Sequence, residues 1–192
     1  MPCPGLSTYQ AIQKIPNLFA RDVLVNGAGG MLGKVLVSLL LLHGARVSIV
    51  SNKMHHKEFN NNGVYRCYDY TEKINKKFYA IFDTTGKAET LLDCLEYYGH
   101  IVAILGRVDK NTIPAFSIYP SLHEIALGAI HSYGSDFDFS MLVSNAMNLY
   151  RLSLEQKILL PKIKNIDFAD IPKALKEIEN GIKGIKFVAH IV

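Results

Sequence analysis

The sequence predicts an α/β fold: a mostly parallel β-sheet with helices on both faces. Three observations carry this reading. Short apolar runs alternate with segments of helical periodicity along nearly the whole chain. The stretch DVLVNGAGGMLGKVLVSLLLLHGARVSIVS, residues 22–51, joins a strand, a glycine turn, an apolar helix and a second strand without a break. Composition is that of an ordinary globular chain, 49% hydrophobic and 20% charged over 192 residues, long enough to bury a core without staples.

The elements follow in order. Residues 7–15 open with a capping box, Ser7 with Gln10, place Ile12 and Ile15 on one face, and stop at Pro16. DVLVN, 22–26, is a buried strand. Residues 30–43 form a helix apolar nearly all round, so it must be covered on more than one side. RVSIVS, 46–51, is the second strand, and a polar helix over 53–61 ends at Asn62-Gly63. VYRCYDY, 64–70, is the third strand. FYAIFDTTG, 78–86, is a strand running into a glycine turn. A helix is expected over 88–97 and a strand over HIVAILG, 100–106. Residues 107–123, with Pro114 and Pro120, read as a loop. EIALGAIHSYG, 124–134, reads as the next strand, and 137–157 as a long helix with Leu142, Met147, Leu149 and Leu152 on its apolar positions. LPKIKNIDF, ADIPKALKEIENG and KFVAHIV close the chain as strand, helix and strand. The whole is read as a single domain over 1–192, with a core at about 20–157 and flanking segments 1–19 and 158–192.

The net charge of +4 is mild and no long run of like charge occurs, so nucleic acid is not expected as a partner. Cys3, Cys67 and Cys94 stand far apart and form no CxxC pair, which suits a reduced interior and a cytoplasmic location. No signal peptide opens the chain, and Val35–Leu42 is too short to span a bilayer. The expected strand 124–134 carries one acid and no lysine, so it lacks the devices that guard a lone sheet edge. It is expected to pair with a second copy in a homodimer, unless loop 107–123 covers it.

The glycine turn is the candidate site. Gly27 suits a positive φ. Gly29 and Gly30 lack a Cβ, so a pyrophosphate can approach the backbone. Gly33 lets the helix lie close to the strand. The N-terminus of the helix then offers amide N–H groups and a partial positive charge to an anion. A merely compact turn is the alternative. The end of the second strand reads Ser51-Asn52-Lys53, with His55, His56 and Lys57 behind it and no acid. A ribose 2′-phosphate would meet hydroxyl, amide and ammonium groups there instead of a carboxylate. That favours NADP(H) over NAD(H), and it counts against S-adenosylmethionine. The basic residues 55–57 also read as a solvated helix start.

The motifs PCPGLSTYQAIQKI, VLVNGAGGMLGKVLVSLLLLHGARV, VYRCYDYTE, YAIFDTTG, GHIVAILGR and ADIPKALKEIENGIKGIKFVAHI together resemble the medium-chain dehydrogenase/reductase superfamily. Its zinc-independent quinone-oxidoreductase-like branch is the nearest group. The resemblance implies a Rossmann doubly wound parallel sheet in the order 3-2-1-4-5-6, with a peripheral N-terminal helix and a C-terminal strand-helix-strand. It implies that Gly27 to Gly33, Met31 and Leu32 included, hold the pyrophosphate. Ser51, Lys53 and Tyr70, with Asn52 between the first two, fall where this branch contacts the 2′-phosphate. Thr84, Thr85 and Gly86, with Leu105 and Gly106, fall near the ribose and nicotinamide. For Tyr70 and Thr85, ordinary strand-end packing is the alternative. The family places a GroES-like catalytic domain before the segment matching PCPGLSTYQ. The resemblance is therefore to the cofactor-binding half, as a cut-out domain or a truncated member.

Other chemistries find no support. No tyrosine has lysine four places on, no GxSxG elbow occurs, and Gly33-Lys34-Val35 breaks the Walker pattern. Lys34 is expected on the helix surface. Histidines and cysteines do not cluster as zinc requires, so no metal is expected. No catalytic acid, base or nucleophile is assigned. The expected function is an NADP(H)-dependent oxidoreductase acting on a quinone, enone, aldehyde or alcohol; the alternative is a non-catalytic dinucleotide-binding or sensor module working through a partner.

Overall fold

Val23, Leu24 and Val25 have no exposed surface, as a central strand of a parallel sheet covered on both faces requires. They lie in β1 (Asp22–Asn26), in a computed structural model that describes residues 2–182 and 185–191. Strand β2 (Arg46–Val50) flanks β1 on one side, and β3 (Arg66–Tyr68) lies beyond it. Strands β4 (Phe78–Asp83), β5 (Leu95–Ala103) and β6 (Ser121–Glu124) follow on the other side. All pairings are parallel and the order is 3-2-1-4-5-6. The chain thus reverses its winding between β1 and β4, and the glycine turn after β1 opens at that switch point.

The helix predicted over 30–43 is α2 (Met31–Leu42), and Val35, Leu36 and Leu40 are fully buried on its different sides. The sheet covers one flank and α1 (Pro2–Gln13) another. Helix α1 starts well before Ser7. Prolines 2 and 4 fit its first turn, where backbone N–H groups have no helical acceptor. Ser7 is therefore buried inside the helix and does not cap it. Helix α1 lies outside the sheet, yet Leu6, Ala11, Ile12 and Ile15 join the main core.

Two elements differ from expectation. Residues 88–97 do not form one helix. A 3-10 turn spans Ala88–Cys94, and β5 begins at Leu95. Tyr97, Tyr98 and Gly99 are poor helix formers, and buried Leu95 pairs with Phe78 instead. The predicted strand 124–134 is also absent. Strand β6 occupies Ser121–Glu124, inside the expected loop, and residues 127–133 form a 3-10 turn (Leu127–Ala129) and the short helix α4 (Ile130–Tyr133). The register gives the reason: Ala103, the last residue of β5, pairs with Glu124, so later residues have no strand to bond to. They satisfy their backbone locally. No sheet edge exists at 125–134 for a second copy to extend, and the expected dimer surface is withdrawn.

Helix α5 (Asp136–Leu154) begins at a capping box between Ser135 and Asp138 and packs against α1. The tail forms β7 (Lys162–Asp167), α6 (Ile171–Glu179) and β8 (Ile185–His190), with β7 and β8 paired in a separate parallel two-stranded sheet.

At the sheet edge, His100 Nδ1 lies 3.2 Å from His123 Nε2. The ring centroids are 5.5 Å apart, about the nitrogen separation plus both ring radii, so one N–H points at the other ring's lone pair. Burial pushes both imidazoles below their ordinary pKa, and for His123 the His100 ring and Lys14 add to it. The folded chain thus binds fewer protons here than the unfolded chain. This contribution to stability is full above the unfolded value of about 6.5 and is lost as pH falls through that value towards the lower folded ones. The urea midpoint should fall on acidification through this window. In a His100→Gln, His123→Gln variant the profile should be flatter; equal profiles would contradict the assignment.

Candidate functional site

The turn after β1 is built by three glycines with different tasks. Gly27 has φ +83°, and a Cβ on it would lie 2.2 Å from Thr84 Oγ1. A Cβ on Gly33 would lie 2.6 Å from the Ala28 backbone, which is how α2 comes to sit on the turn. Gly30 is the opposite case: a Cβ there meets nothing within 4 Å. Gly30 caps α2 without a side-chain hydrogen bond, so the first amides of the helix, on Met31, Leu32 and Gly33, have no helical acceptor. The turn therefore presents backbone donors at an open surface.

That surface is the floor of a cleft of about 870 Å³. Gly27, Gly29 and Gly30 form one wall, and Asn52, Met54 and His55 after β2 form the next. Tyr70, Thr84, Thr85 and Leu105 enter from the ends of β3, β4 and β5. Asn180, Gly181, Ile182 and Ile185 return from the tail. The cleft thus lies outside the carboxyl ends of the strands, where open α/β sheets bind ligands.

A buried polar network shapes its base. Asn26 Nδ2 donates to Asp83 Oδ1 (2.8 Å) and to Thr85 Oγ1 (3.1 Å), and Thr85 Oγ1 donates to Asp83 Oδ1 (2.8 Å). The Lys87 amide donates to Asp83 Oδ2 (2.9 Å). Asp83 has no exposed surface, so it orients the β4 loop from below and does not face the cleft. Thr84 Oγ1 is held by the Asn26 and Gly27 carbonyls.

The sequence-derived residues divide. Gly27, Gly29, Gly30, Asn52, Tyr70, Thr84, Thr85 and Leu105 line the cleft. Met31, Leu32 and Gly33 offer only the amides of the first turn. Gly86 and Gly106 stand beside each other at positive φ, where a Cβ on Gly106 would be 3.6 Å from Gly86 Cα, and they lie next to the cleft instead of lining it. Ser51 is fully buried, and its hydroxyl donates to the Asn52 carbonyl at 3.3 Å. Lys53 is exposed on the 3-10 turn Lys53–His55 that also carries Met54 and His55. Burial raises the pKa of the Tyr70 hydroxyl, with Asp83 and Asp69 adding to it.

Two expectations are corrected. Lys34 is not a surface residue. It is 3% exposed, and its ammonium donates to Glu58 Oε1 (2.9 Å) and Oε2 (2.7 Å), tying α2 to α3 (His56–Asn61). His55 is not part of a solvated start. It is buried against Gly29, where a Cβ would lie 2.5 Å from His55 Cδ2 and 2.8 Å from its Nε2. Burial first, then Lys34, lowers its pKa. Asn26, Asp83, Met54, His55 and the tail residues 180–182 and 185 were not anticipated. Among the described residues no three His, Cys, Asp or Glu side chains gather as a metal site requires, and no described helix is long and apolar enough to cross a membrane.

Sheet order, switch point and glycine turn define a Rossmann-type domain. Neither any protein-family model nor any curated protein sequence matches the chain. Solved structures do. An alcohol dehydrogenase superfamily protein from Novosphingobium aromaticivorans aligns over 92% of this chain with a TM-score of 0.77 and 17% identity. The quinone oxidoreductase from Coxiella burnetii aligns over 100% with a TM-score of 0.75 and 19% identity. The yhdH oxidoreductase from Salmonella enterica, solved in complex with NADP, aligns over 98% with a TM-score of 0.71 and 19% identity. The chain spans 57, 59 and 61% of those three proteins' lengths. The chain thus shares its Rossmann-type fold with these oxidoreductase structures.

Proposed function

We propose that this chain is the dinucleotide-binding domain of a medium-chain dehydrogenase/reductase, that it prefers NADP(H) to NAD(H), and that the cleft is its cofactor site. The observation that carries the reading is Gly30. It is the one residue of the turn whose missing side chain leaves open space at the N-terminus of a helix, directly on the cleft. Such a position serves close approach of an anion, where a turn alone would need no vacancy. The volume and the polar wall of Asn52, Thr84 and Thr85 fit a dinucleotide. The bound cofactor supplies hydride transfer; the protein supplies its position. Gly30 admits the pyrophosphate, Gly29 makes room for the His55 ring, the α2 amides donate to the phosphates, and Thr84 and Thr85 flank the path towards the nicotinamide.

The NADP(H) preference rests on charge. No carboxylate lines the cleft among the described residues, and Lys53 stands on the turn that holds Asn52, Met54 and His55 at its wall. The NADP complex of the yhdH oxidoreductase supports the same reading. Substrates of the quinone, enone, aldehyde or alcohol type belong with this family; a dinucleotide sensor acting through a partner is the second reading, since no catalytic acid or base is assigned here.

Reversing the charge at Lys53 tests the preference. Two unit charges about 4 Å apart interact by about 1 kcal/mol in bulk water, so reversal shifts a phosphate contact by about 2 kcal/mol. Lys53→Glu should weaken NADPH binding roughly tenfold or more and leave NADH nearly unchanged. Equal losses for both, or equal affinities in the unaltered protein, would remove the preference.

A further inference from the structure

A pyrophosphate brings negative charge into a cleft that, among its described lining residues, holds no lysine and no arginine. The N-terminus of α2 offers about half a positive charge. Among the described lining side chains only His55 can become a cation. Its ring is packed on Gly29, the residue beside the open Gly30 position, so it sits at the junction of the glycine turn and the end of β2. No hydrogen bond from another described residue occupies either ring nitrogen, although His55 is only 8% exposed. Its ring nitrogens are not among the buried polar atoms left without a partner, so they meet solvent at the cleft and are free to meet a ligand there.

We propose that His55 is a proton-gated contact for the dinucleotide pyrophosphate: neutral while the cleft is empty, it takes one proton from solvent as the ligand binds and then donates an N–H to a phosphate oxygen. The inference rests on the dinucleotide reading above and assigns this residue within it. The surroundings set the direction. On the α2 side stands the Lys34 ammonium, which opposes protonation, but Glu58 of α3 holds it at 2.7 Å and works the other way. His56 of α3 opposes protonation weakly. Asn52 and Met54 on the cleft side carry no charge. Behind the ring, then, burial and Lys34 disfavour the charged imidazole while Glu58 favours it, and the negative charge of the ligand in front shifts the balance towards the protonated form. Binding and proton uptake are therefore linked, and affinity rises as pH falls between the bound-state and empty-state pKa values, by at most tenfold per pH unit.

Calorimetry with NAD+ tests this, because its pyrophosphate has no proton to lose near neutrality, whereas the 2′-phosphate of NADP+ titrates at about 6. The full chain is titrated from about pH 8 to about pH 6, in two buffers of different ionisation enthalpy, so that proton uptake is read directly. The expected result is tighter binding at the acid end, with net uptake approaching one proton. His55→Asn should show neither the acid gain nor the proton uptake, whatever its affinity at the alkaline end. In parallel, the imidazole resonance of His55 in the unsubstituted protein should titrate at higher pH once NAD+ is added, which reads the same step without any change to folding. Unchanged uptake in His55→Asn, a flat profile in the unaltered protein, or an imidazole titration indifferent to NAD+ would overturn the proposal while leaving the dinucleotide site standing. Failure of both NAD+ and NADP+ to bind at any pH would overturn the site itself, and His55's role with it.

Discussion

Gly30→Val should abolish dinucleotide binding and leave the domain folded. The first half follows from position. The added side chain would project from the N-cap of α2 into the cleft, where the pyrophosphate of the proposed ligand would approach the backbone. The second half follows from the empty space: a Cβ at Gly30 meets no atom within 4 Å, and its φ of −78° suits any residue. Affinity should fall by at least about a hundredfold, or about 2.7 kcal/mol. The thermal midpoint should fall by only a few degrees, the cost of a poorer N-cap. Gly33→Val is the control of opposite kind. Its Cβ would lie 2.6 Å from the Ala28 backbone, which cannot yield as a flexible side chain can. Overpacking of this sort costs about 1–3 kcal/mol or more, so that protein should lose stability first. If Gly30→Val binds normally, the glycines serve the turn and nothing else.

Glu58→Ala should be among the most destabilising changes of a charged side chain. It leaves the Lys34 ammonium, whose side chain is 4% exposed, without its partner. Breaking a buried pair from one side costs about 3–5 kcal/mol. The Glu58 side chain is 36% exposed, so water can enter after truncation, and about 2–3 kcal/mol is the expected loss. With a urea slope of about 1–2 kcal/mol/M the midpoint should drop by about 1–3 M. Lys34→Met should cost much less. It keeps the apolar stem inside α2 and leaves Glu58 where water can reach it. The asymmetry is the informative quantity. Equal small losses would mean that the pair contributes as little as a surface ion pair, and equal large ones would mean that packing of the Lys34 stem dominates.

The segment from β1 through β2 was legible because each local signal agreed with the fold: apolar runs of strand length, a glycine cluster between them, and a helix apolar on all sides. The same agreement made Gly27, Gly29 and Gly30 readable as a candidate site, and all three line the cleft. Lys34 was misread because a lysine in a helix is normally solvated; only its pairing with Glu58, on the next helix, makes burial tolerable, and that partner cannot be inferred from helical spacing. His55 was hidden for a similar reason, since its neighbour Gly29 belongs to another element. Strand β6 was misplaced because EIALGAIHSYG carries an apolar run with two isoleucines and a tyrosine, while the pairing of β6 ends at Glu124, opposite Ala103, where β5 ends. Residues 180–182 and 185 reach the cleft only through the return of the tail. Asn180-Gly181 reads simply as the end of α6.

The central claim, that the cleft over the glycine turn holds a nicotinamide dinucleotide, is tested most directly by titrating the chain into NADPH and following the reduced nicotinamide's own emission. The chain has no tryptophan, so energy transfer from that source cannot complicate the signal. The account predicts a saturable change at one NADPH per chain, displaced by unreduced NADP+, and weaker binding of NADH. A folded chain that leaves the emission of both NADPH and NADH unchanged, and shows no heat with either in calorimetry, would contradict it.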